Sequence, residues 1–258
     1  MLTQLFNLNS LDHTTLQWTV LCLAALLTGI SKTGLPGIGI LVVPLMAGVF
    51  EAKFSTGLVL PMLAFADLFA VGYYHRHARW SHIIKLLPAA LVGIAAGSLL
   101  IRHIHDFQLK PLIGIIVLTM LIISYLRNRK NNGEETVRDN FYFALSIGFF
   151  AGLTTQLANA AGPIMVIYLL AMRLPKYEFI GTGAWYFLIL NWLKIPIFIS
   201  EGRINLDSIK TVVIVFPLIV IGAVIGILLL KRIPQKAFKT VVQVLAVLAA
   251  LRLIVSIF

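Results

Sequence analysis

Apolar blocks separated by short polar segments make up most of this chain. Several of them reach the roughly 20 residues needed to cross the hydrocarbon core of a bilayer. The blocks cover residues 16–30, 37–50, 55–73, 82–101, 109–126, 141–155, 161–172, 179–200, 208–230 and 237–258. Charged residues make up only 12% of the chain, about half of their share in a soluble domain. The sequence therefore predicts an all-α membrane protein with several membrane crossings.

Two polar, glycine-rich interruptions divide apolar blocks that would otherwise be continuous. The first is Ile30–Gly39 (ISKTGLPGIG) and the second is Gly152–Pro163 (GLTTQLANAAGP). A helix that breaks inside a bilayer leaves backbone groups unpaired, so a break is tolerated only within protein or beside a water-filled cavity. Broken helices at matching places in two halves of a chain are typical of transporter binding sites. We therefore predict that both interruptions are helix breaks that line a substrate site.

The two halves of the chain repeat the same order of glycines and charges. Gly39 precedes Gly162 by 123 residues, and Arg79 precedes Arg203 by 124 residues. Chance rarely preserves the order of several such positions, so the sequence predicts an internal duplication. The predicted units are a first repeat over residues 1–127, a polar linker over 128–140 and a second repeat over 141–258.

Each predicted repeat has one broken segment and three uninterrupted helices, and the path of the broken segment decides the topology. If it crosses the membrane once, the two repeats are parallel. If its arms form a hairpin, or if each arm crosses, the repeats are inverted. The inverted arrangement places more of the loop lysines and arginines on the side of the linker, as expected for cytoplasmic loops. We therefore predict inverted repeats, with short re-entrant hairpins whose tips meet near mid-membrane.

The residues at the breaks have the chemistry of a site for a small oxyanion. The arm that follows each break presents free N–H groups and the positive end of its helix dipole, and such helix ends bind anions. The predicted substrate-binding residues are Ser31, Lys32, Thr33, Gly34, Gly37, Gly39, Thr154, Thr155, Gln156, Asn159, Gly162, Asn191 and Lys194. Close helix packing is an alternative explanation of the glycines, but it does not explain Lys32, Gln156 and Asn159.

Asp67 and Lys194 are further charged residues within apolar blocks. A carboxylate at the position of Asp67 costs about 3 kcal/mol unless it is paired or faces water, and Lys32 is its candidate partner. Asp67 is either a proton-coupling group or half of a static pair that holds the hairpin, and both interpretations stay open. Lys194 shares a helix face with Asn191. It is either a second anion contact or, as we prefer, extends its amine outward to the membrane surface.

Other function classes lack their sequence features. An intramembrane hydrolase needs a Ser–His dyad, paired aspartates or a zinc motif inside the apolar blocks, and Asp67 is the only carboxylate well inside one. The net charge of +11 is spread over loops, so nucleic acid is not a predicted partner. No P-loop occurs, and we predict neither a cofactor nor a metal site. The predicted partners are a small anion and the lipid bilayer.

With these motifs in view, the chain resembles the sulfite exporter TauE/SafE family of bacterial membrane proteins. The resemblance rests on the segment from Gly29 to Gly39, on the segment from Gly152 to Pro163, and on the duplication around a central linker. It implies a secondary transporter that exports sulfite, organosulfonates or related sulfur-containing anions across the bacterial inner membrane. The alternative is uptake, or cation-coupled transport, of another small solute with Asp67 as the binding carboxylate.

Overall fold

The computed structural model describes residues 13–101, 141–238, 240–242 and 244, and its elements in these ranges are helical. They are α1 (Thr15–Thr33), a 3-10 helix (Pro36–Leu41), α2 (Val42–Ala47), α3 (Ala52–Tyr74), a 3-10 turn (His75–His77), α4 (Trp80–Leu100), α5 (Phe141–Ala158), α6 (Gly162–Ala171), α7 (Lys176–Ser200) and α8 (Leu206–Arg232). Six of them, α1, α3, α4, α5, α7 and α8, are long and apolar enough to cross a membrane. The predicted all-α, multi-pass class is therefore confirmed. The linker, the block at 109–126 and most of the block at 237–258 lie outside the described residues.

Both predicted interruptions are helix breaks. The first break follows Thr33, where the N–H groups of Gly34 and Leu35 both donate to the carbonyl of Ile30 at 2.9 and 3.2 Å. The second break follows the end of α5, where Asn159 has a φ of 55°, a left-handed conformation that asparagine tolerates better than most residues. Each break is followed by a short helix with a proline in its first turn, where a missing N–H costs nothing.

Each broken segment turns back on itself to form a helical hairpin. In the first hairpin (residues 15–47), the side chain of Gln17 donates to the carbonyl of Val49 at 3.1 Å, so α2 ends beside the start of α1. In the second hairpin (residues 141–171), the rings of Phe143 and Tyr168 stack with 6.0 Å between their centroids. The end of α6 therefore lies beside the start of α5.

The two breaks lie beside opposite ends of α3. The hydroxyl of Tyr74 donates to the carbonyl of Thr33 at 2.9 Å, at the C-terminal end of α3. The side chain of Asn159 donates to the carbonyl of Thr56 at 3.0 Å, near its N-terminal end. Along a helix these two positions are about 27 Å apart. The meeting of the two tips near mid-membrane stays a prediction.

The first arm of each hairpin is longer than the sequence predicted. The sequence predicted arms that end at residues 30 and 155, but α1 continues to Thr33 and α5 to Ala158. At 19 and 18 residues, the two arms are about 27–29 Å long and nearly match the hydrocarbon thickness. The 3-10 helix of the first hairpin contacts α6 of the second.

Glycines allow close backbone contact in two pairs of long helices. α1 packs along α8, and α4 packs along α5. A Cβ on Gly29 would lie 2.6 Å from the amide nitrogen of Ala223, and a Cβ on Gly152 would lie 2.7 Å from the carbonyl carbon of Ala90. Small residues allow this backbone-to-backbone packing, which is a main source of helix association in membranes. The remaining long helices, α3 and α7, pack against each other and contain the buried polar residues of the site.

Candidate functional site

Asp67 lies where α1, α3 and α7 meet. The amine of Lys32 on α1 is 2.7 Å from Oδ1 of Asp67, and the side-chain amide of Asn191 on α7 donates to Oδ2 at 2.7 Å. The carboxylate is fully buried. A buried charge is tolerated only when it is paired and hydrogen-bonded, and these two partners meet that requirement. The predicted Lys32–Asp67 pair is therefore confirmed, and Asn191 joins it.

Lys32 is the member of this group that reaches solvent, since 12% of its side chain is exposed. Its amine also lies 4.0 Å from the centroid of the Phe187 ring, close enough for a cation–π interaction. A lysine ammonium has three N–H donors. Among the described residues, Asp67 is the polar group that this amine contacts, so donors remain for a bound anion.

Lys194 is fully buried, so the prediction that its amine extends outward is wrong. The amine donates to the carbonyl and the hydroxyl of Thr155, both at 2.8 Å, and to Oδ1 of Asn159 at 2.7 Å. These three bonds use all three N–H donors of an ammonium. The second break explains the difference, because the unwound end of α5 offers acceptors within reach of α7.

Arg203 lies between α7 and α8 and also holds the second break. Both terminal nitrogens of its guanidinium donate to the carbonyl of Gln156 at 3.1 Å, and its Nε donates to Glu201 at 2.7 Å. The side chain of Gln156 donates to the other oxygen of Glu201 at 3.0 Å. Our sequence reasoning used Arg203 only as a repeat position and overlooked Glu201. The available signal was a pair of opposite charges, separated only by Gly202, directly after the apolar stretch of α7.

The backbone of the first break is largely satisfied within the protein. The hydroxyl of Ser31 donates to the carbonyl of Pro36 at 3.1 Å and accepts from the N–H of Gly39 at 3.0 Å. The N–H groups of Gly34 and Leu35 are bonded as described above. The N–H of Gly39, in the arm that follows the break, is therefore not free as predicted, and that of Gly34, a predicted substrate contact, is also bonded within the protein. Gly37, also predicted to bind substrate, lies within the six-residue 3-10 helix.

Other predicted donors belong to helix packing. The hydroxyl of Thr33 donates to the carbonyl of Ala223 on α8 at 2.8 Å, and that of Thr154 donates to the carbonyl of Phe150 on its own helix at 2.7 Å. A Cβ on Gly34 would lie 2.7 Å from the Cα of Gly226. For these residues, the contacts support the alternative explanation, in which small and polar side chains allow helices to pack closely.

The second break opens onto unfilled space at one position. Gly162 begins α6, and a Cβ built on it would have no described atom within 4 Å. The preceding residue, Ala161, makes no side-chain capping bond. Of the predicted residues, the structure thus brings Lys32 together with Asp67 and Asn191, and it brings Lys194 together with Thr155 and Asn159. The two groups are adjacent, because Asn191 and Lys194 are neighbours on one face of α7.

The family model described as Sulfite exporter TauE/SafE matches residues 21–253. This range includes the second hairpin, the first hairpin from residue 21 onward and every residue of the site. No curated protein and no solved structure matches the chain.

Proposed function

The chain belongs to the sulfite exporter TauE/SafE family of membrane transporters, and on that premise we propose that it exports a small sulfur-containing anion. Sulfite and organosulfonates are the proposed substrates, and the bacterial inner membrane is the proposed location. The anion binds at Lys32, beside the Asp67–Asn191 pair, and moves by alternating access. The pairing of Asp67 with Lys32 at 2.7 Å is the observation that supports this proposal best.

Lys32 suits an anion site because its charge is desolvated but accessible. Its side chain is 12% exposed, and burial of the rest strengthens any electrostatic contact. Buried ionisable groups in membrane segments are expensive, and most of them mark a transport pathway. Asp67 holds the amine in place by ion pairing, and Asn191 holds Asp67 from the opposite helix by a hydrogen bond of 2.7 Å.

Alternating access in this proposal arises from two inverted repeats. Two contacts support this arrangement, and they lie at positions that the predicted repeats make equivalent. In each, a side chain from outside the hairpin donates to a carbonyl just before the break. Tyr74 donates to Thr33, and Arg203 donates to Gln156. The breaks also lie at opposite ends of α3, as expected if the hairpins enter from opposite membrane faces. Movement of one hairpin, with the helix packed along it, then opens the site to one side at a time.

Asp67 is the proposed proton-coupling group. Its carboxylate contacts Lys32 directly, so a substrate anion that draws the amine away removes the positive partner of the carboxylate. Losing that partner favours protonation of a buried acid. Anion binding and proton uptake are therefore linked through one amine. The equivalent position in the second half, Asn191, has no titratable group, so one proton site per chain is proposed.

The proposed function is tested by flux of sulfite into liposomes that contain the purified protein. Replacing both members of the pair, Lys32→Met with Asp67→Asn, leaves no unpaired buried charge, and such replacements are often neutral for folding. We expect the double variant to fold and to lose flux by about 30-fold, the effect of losing a charged hydrogen bond worth about 2 kcal/mol. Lys53→Met removes an exposed lysine and is the matched control.

The single variants separate the roles of the two residues. Asp67→Asn keeps Lys32, so sulfite should still move down its own gradient, but a pH gradient should no longer drive accumulation. Undiminished sulfite flux in Lys32→Met would contradict the anion site. Loss of transport in Asp67→Asn but not in Lys32→Met would favour the alternative, in which Asp67 binds a different solute.

Labelling with a membrane-impermeant thiol reagent tests the inverted topology. Cys22, the single cysteine of the chain, is first replaced by alanine. A cysteine is then introduced at one of two exposed positions at the two ends of α3, Lys53→Cys or His75→Cys. We expect residue 53 to be labelled from the outside in intact cells, and residue 75 only after the membrane is opened. Labelling of both positions from the same side would contradict the proposed crossing of α3.

A further inference from the structure

Five charged side chains form one buried network through the centre of the protein. Lys32, Asp67 and Lys194 lie on α1, α3 and α7, and Glu201 and Arg203 follow α7 directly. Asp67 and Lys194 are fully buried, and 2% of the Arg203 side chain and 11% of that of Glu201 are exposed. Among the described residues, the charged groups that interact electrostatically with Lys194 are the other four members.

Hydrogen bonds connect the members of this network in two groups, and one face of α7 brings the two groups together. Asn191 connects Asp67 to α7, and Lys194 follows Asn191 on the same helix face. Lys194 donates to Asn159 at 2.7 Å. The same asparagine donates to the carbonyl of Thr56, whose hydroxyl lies 3.5 Å from the guanidinium of Arg203. The charges therefore share one environment, and a change of charge at one member affects the others.

The network contains more positive than negative groups. Its cations are Lys32, Lys194 and Arg203, and its carboxylates are Asp67 and Glu201, so with all five groups ionised it has one net positive charge. The hydrogen bonds of Lys194 fit an ammonium, because the Thr155 carbonyl and the Asn159 amide oxygen only accept and the hydroxyl is free to accept as well. Each carboxylate has a cationic partner, whereas Lys194 has neutral partners only.

A net charge held in a low-dielectric interior is unfavourable unless a counter-charge is present. Lys194, the cation that lacks a carboxylate partner, is buried. Lys32 belongs to the same network, has N–H donors available and is partly exposed. An anion at Lys32 therefore neutralises the whole network, and one negative charge is enough. A second negative charge would reverse the sign of the imbalance and would restore its cost.

We infer that the transporter selects its substrate by charge, taking monoanions such as hydrogen sulfite or a sulfonate in preference to dianions. The inference rests on the proposed function and specifies the substrate class of the same site. Selection by net charge differs from selection by shape, since it depends on carboxylates that do not touch the substrate. Neutralising such a carboxylate should change which anion is preferred.

Methanesulfonate and sulfate are suitable probes, because both are small tetrahedral anions and they differ by one charge. Binding of each to the purified protein is measured by titration calorimetry at constant ionic strength. We expect the wild-type protein to bind methanesulfonate more tightly than sulfate. In Glu201→Gln the network has two net positive charges, and the affinity ratio should shift toward sulfate by about tenfold or more, the effect of one unit charge nearby at the effective dielectric of a protein.

Two further variants make this test specific. Asp67→Asn removes the other carboxylate and should shift the ratio in the same direction, so the test survives if one variant fails to fold. Glu51→Gln removes an exposed carboxylate outside the network and should leave the ratio unchanged. A wild-type preference for sulfate, or an unchanged ratio in the folded network variants, would overturn the inference. Binding of neither probe, together with no sulfite flux, would instead remove the proposed function and the inference with it.

Discussion

Replacing Arg203 with methionine is expected to destabilise the folded protein by about 3–5 kcal/mol, the range for removing one partner of a buried ion pair. The guanidinium is nearly inaccessible and forms three kinds of contact at once. It pairs with Glu201, donates to the carbonyl of Gln156 at 3.1 Å, and lies over the Phe198 ring at 3.5 Å. Methionine can replace the aliphatic part of this side chain but has no N–H donors, so Glu201 and the carbonyl at the second break would lose their partner.

Arg79 is the matched control, because it occupies the corresponding position of the predicted first repeat and also forms an ion pair. Its two bonds to Glu178 are both 2.7 Å long, but 58% of its side chain is exposed, and exposed pairs contribute little to stability. We expect Arg79→Met to leave stability nearly unchanged. Denaturant unfolding of both variants in detergent micelles measures the difference. Equal stability of the two variants would show that Arg203 does not hold the second break.

Replacing Gly152 with alanine is expected to cost about 3 kcal/mol, at the upper end of the range for overpacking. The added Cβ would lie 2.7 and 2.8 Å from the carbonyl carbon and the Cα of Ala90, shorter than real Cβ contacts. These atoms belong to the backbone of α4 and cannot rotate away as a flexible side chain would. The two helices would have to separate along the contact that holds the second hairpin.

Gly72→Ala is the control for the intrinsic effect of this substitution. Gly72 also lies inside a long helix, α3, but a Cβ there would meet no described atom within 4 Å. Because alanine favours helices over glycine, this change should stabilise the protein by up to about 1 kcal/mol. Unfolding midpoints in detergent measure both changes. If Gly152→Ala is as stable as Gly72→Ala, the close packing of α4 on α5 is incorrect.

Local properties of the chain were predictable from the sequence. The length of the apolar blocks indicates membrane helices, since roughly 20 residues cross a bilayer whatever their neighbours are. Glycine, proline and polar side chains mark the two breaks, because their effect on a helix is a property of a few adjacent residues. The pairing of Lys32 with Asp67 was also predictable, because a charge in an apolar segment needs a partner and few candidates exist.

The positions of the breaks and the partners of the remaining polar residues were not predictable in this way. The tips lie at opposite ends of α3, and each first arm continues about one turn further than the apolar pattern does. Lys194 turns inward because the broken end of α5, distant in sequence, supplies its acceptors. Arg203 and Glu201 resemble surface charges in sequence and become part of the core only where the second hairpin covers them.

The sequence by itself thus determined the fold class, the two breaks, one ion pair and the resemblance to a family of anion transporters. Only the tertiary structure decided which polar groups are free for a substrate and which are used to hold the breaks. The physical reason is that the cost of burying a polar group depends on the residue alone, whereas its satisfaction depends on which helix lies next to it. The hydroxyls of Ser31 and Thr33 donate to backbone carbonyls of the protein, while the amine of Lys32, next to both in sequence, keeps unused N–H donors.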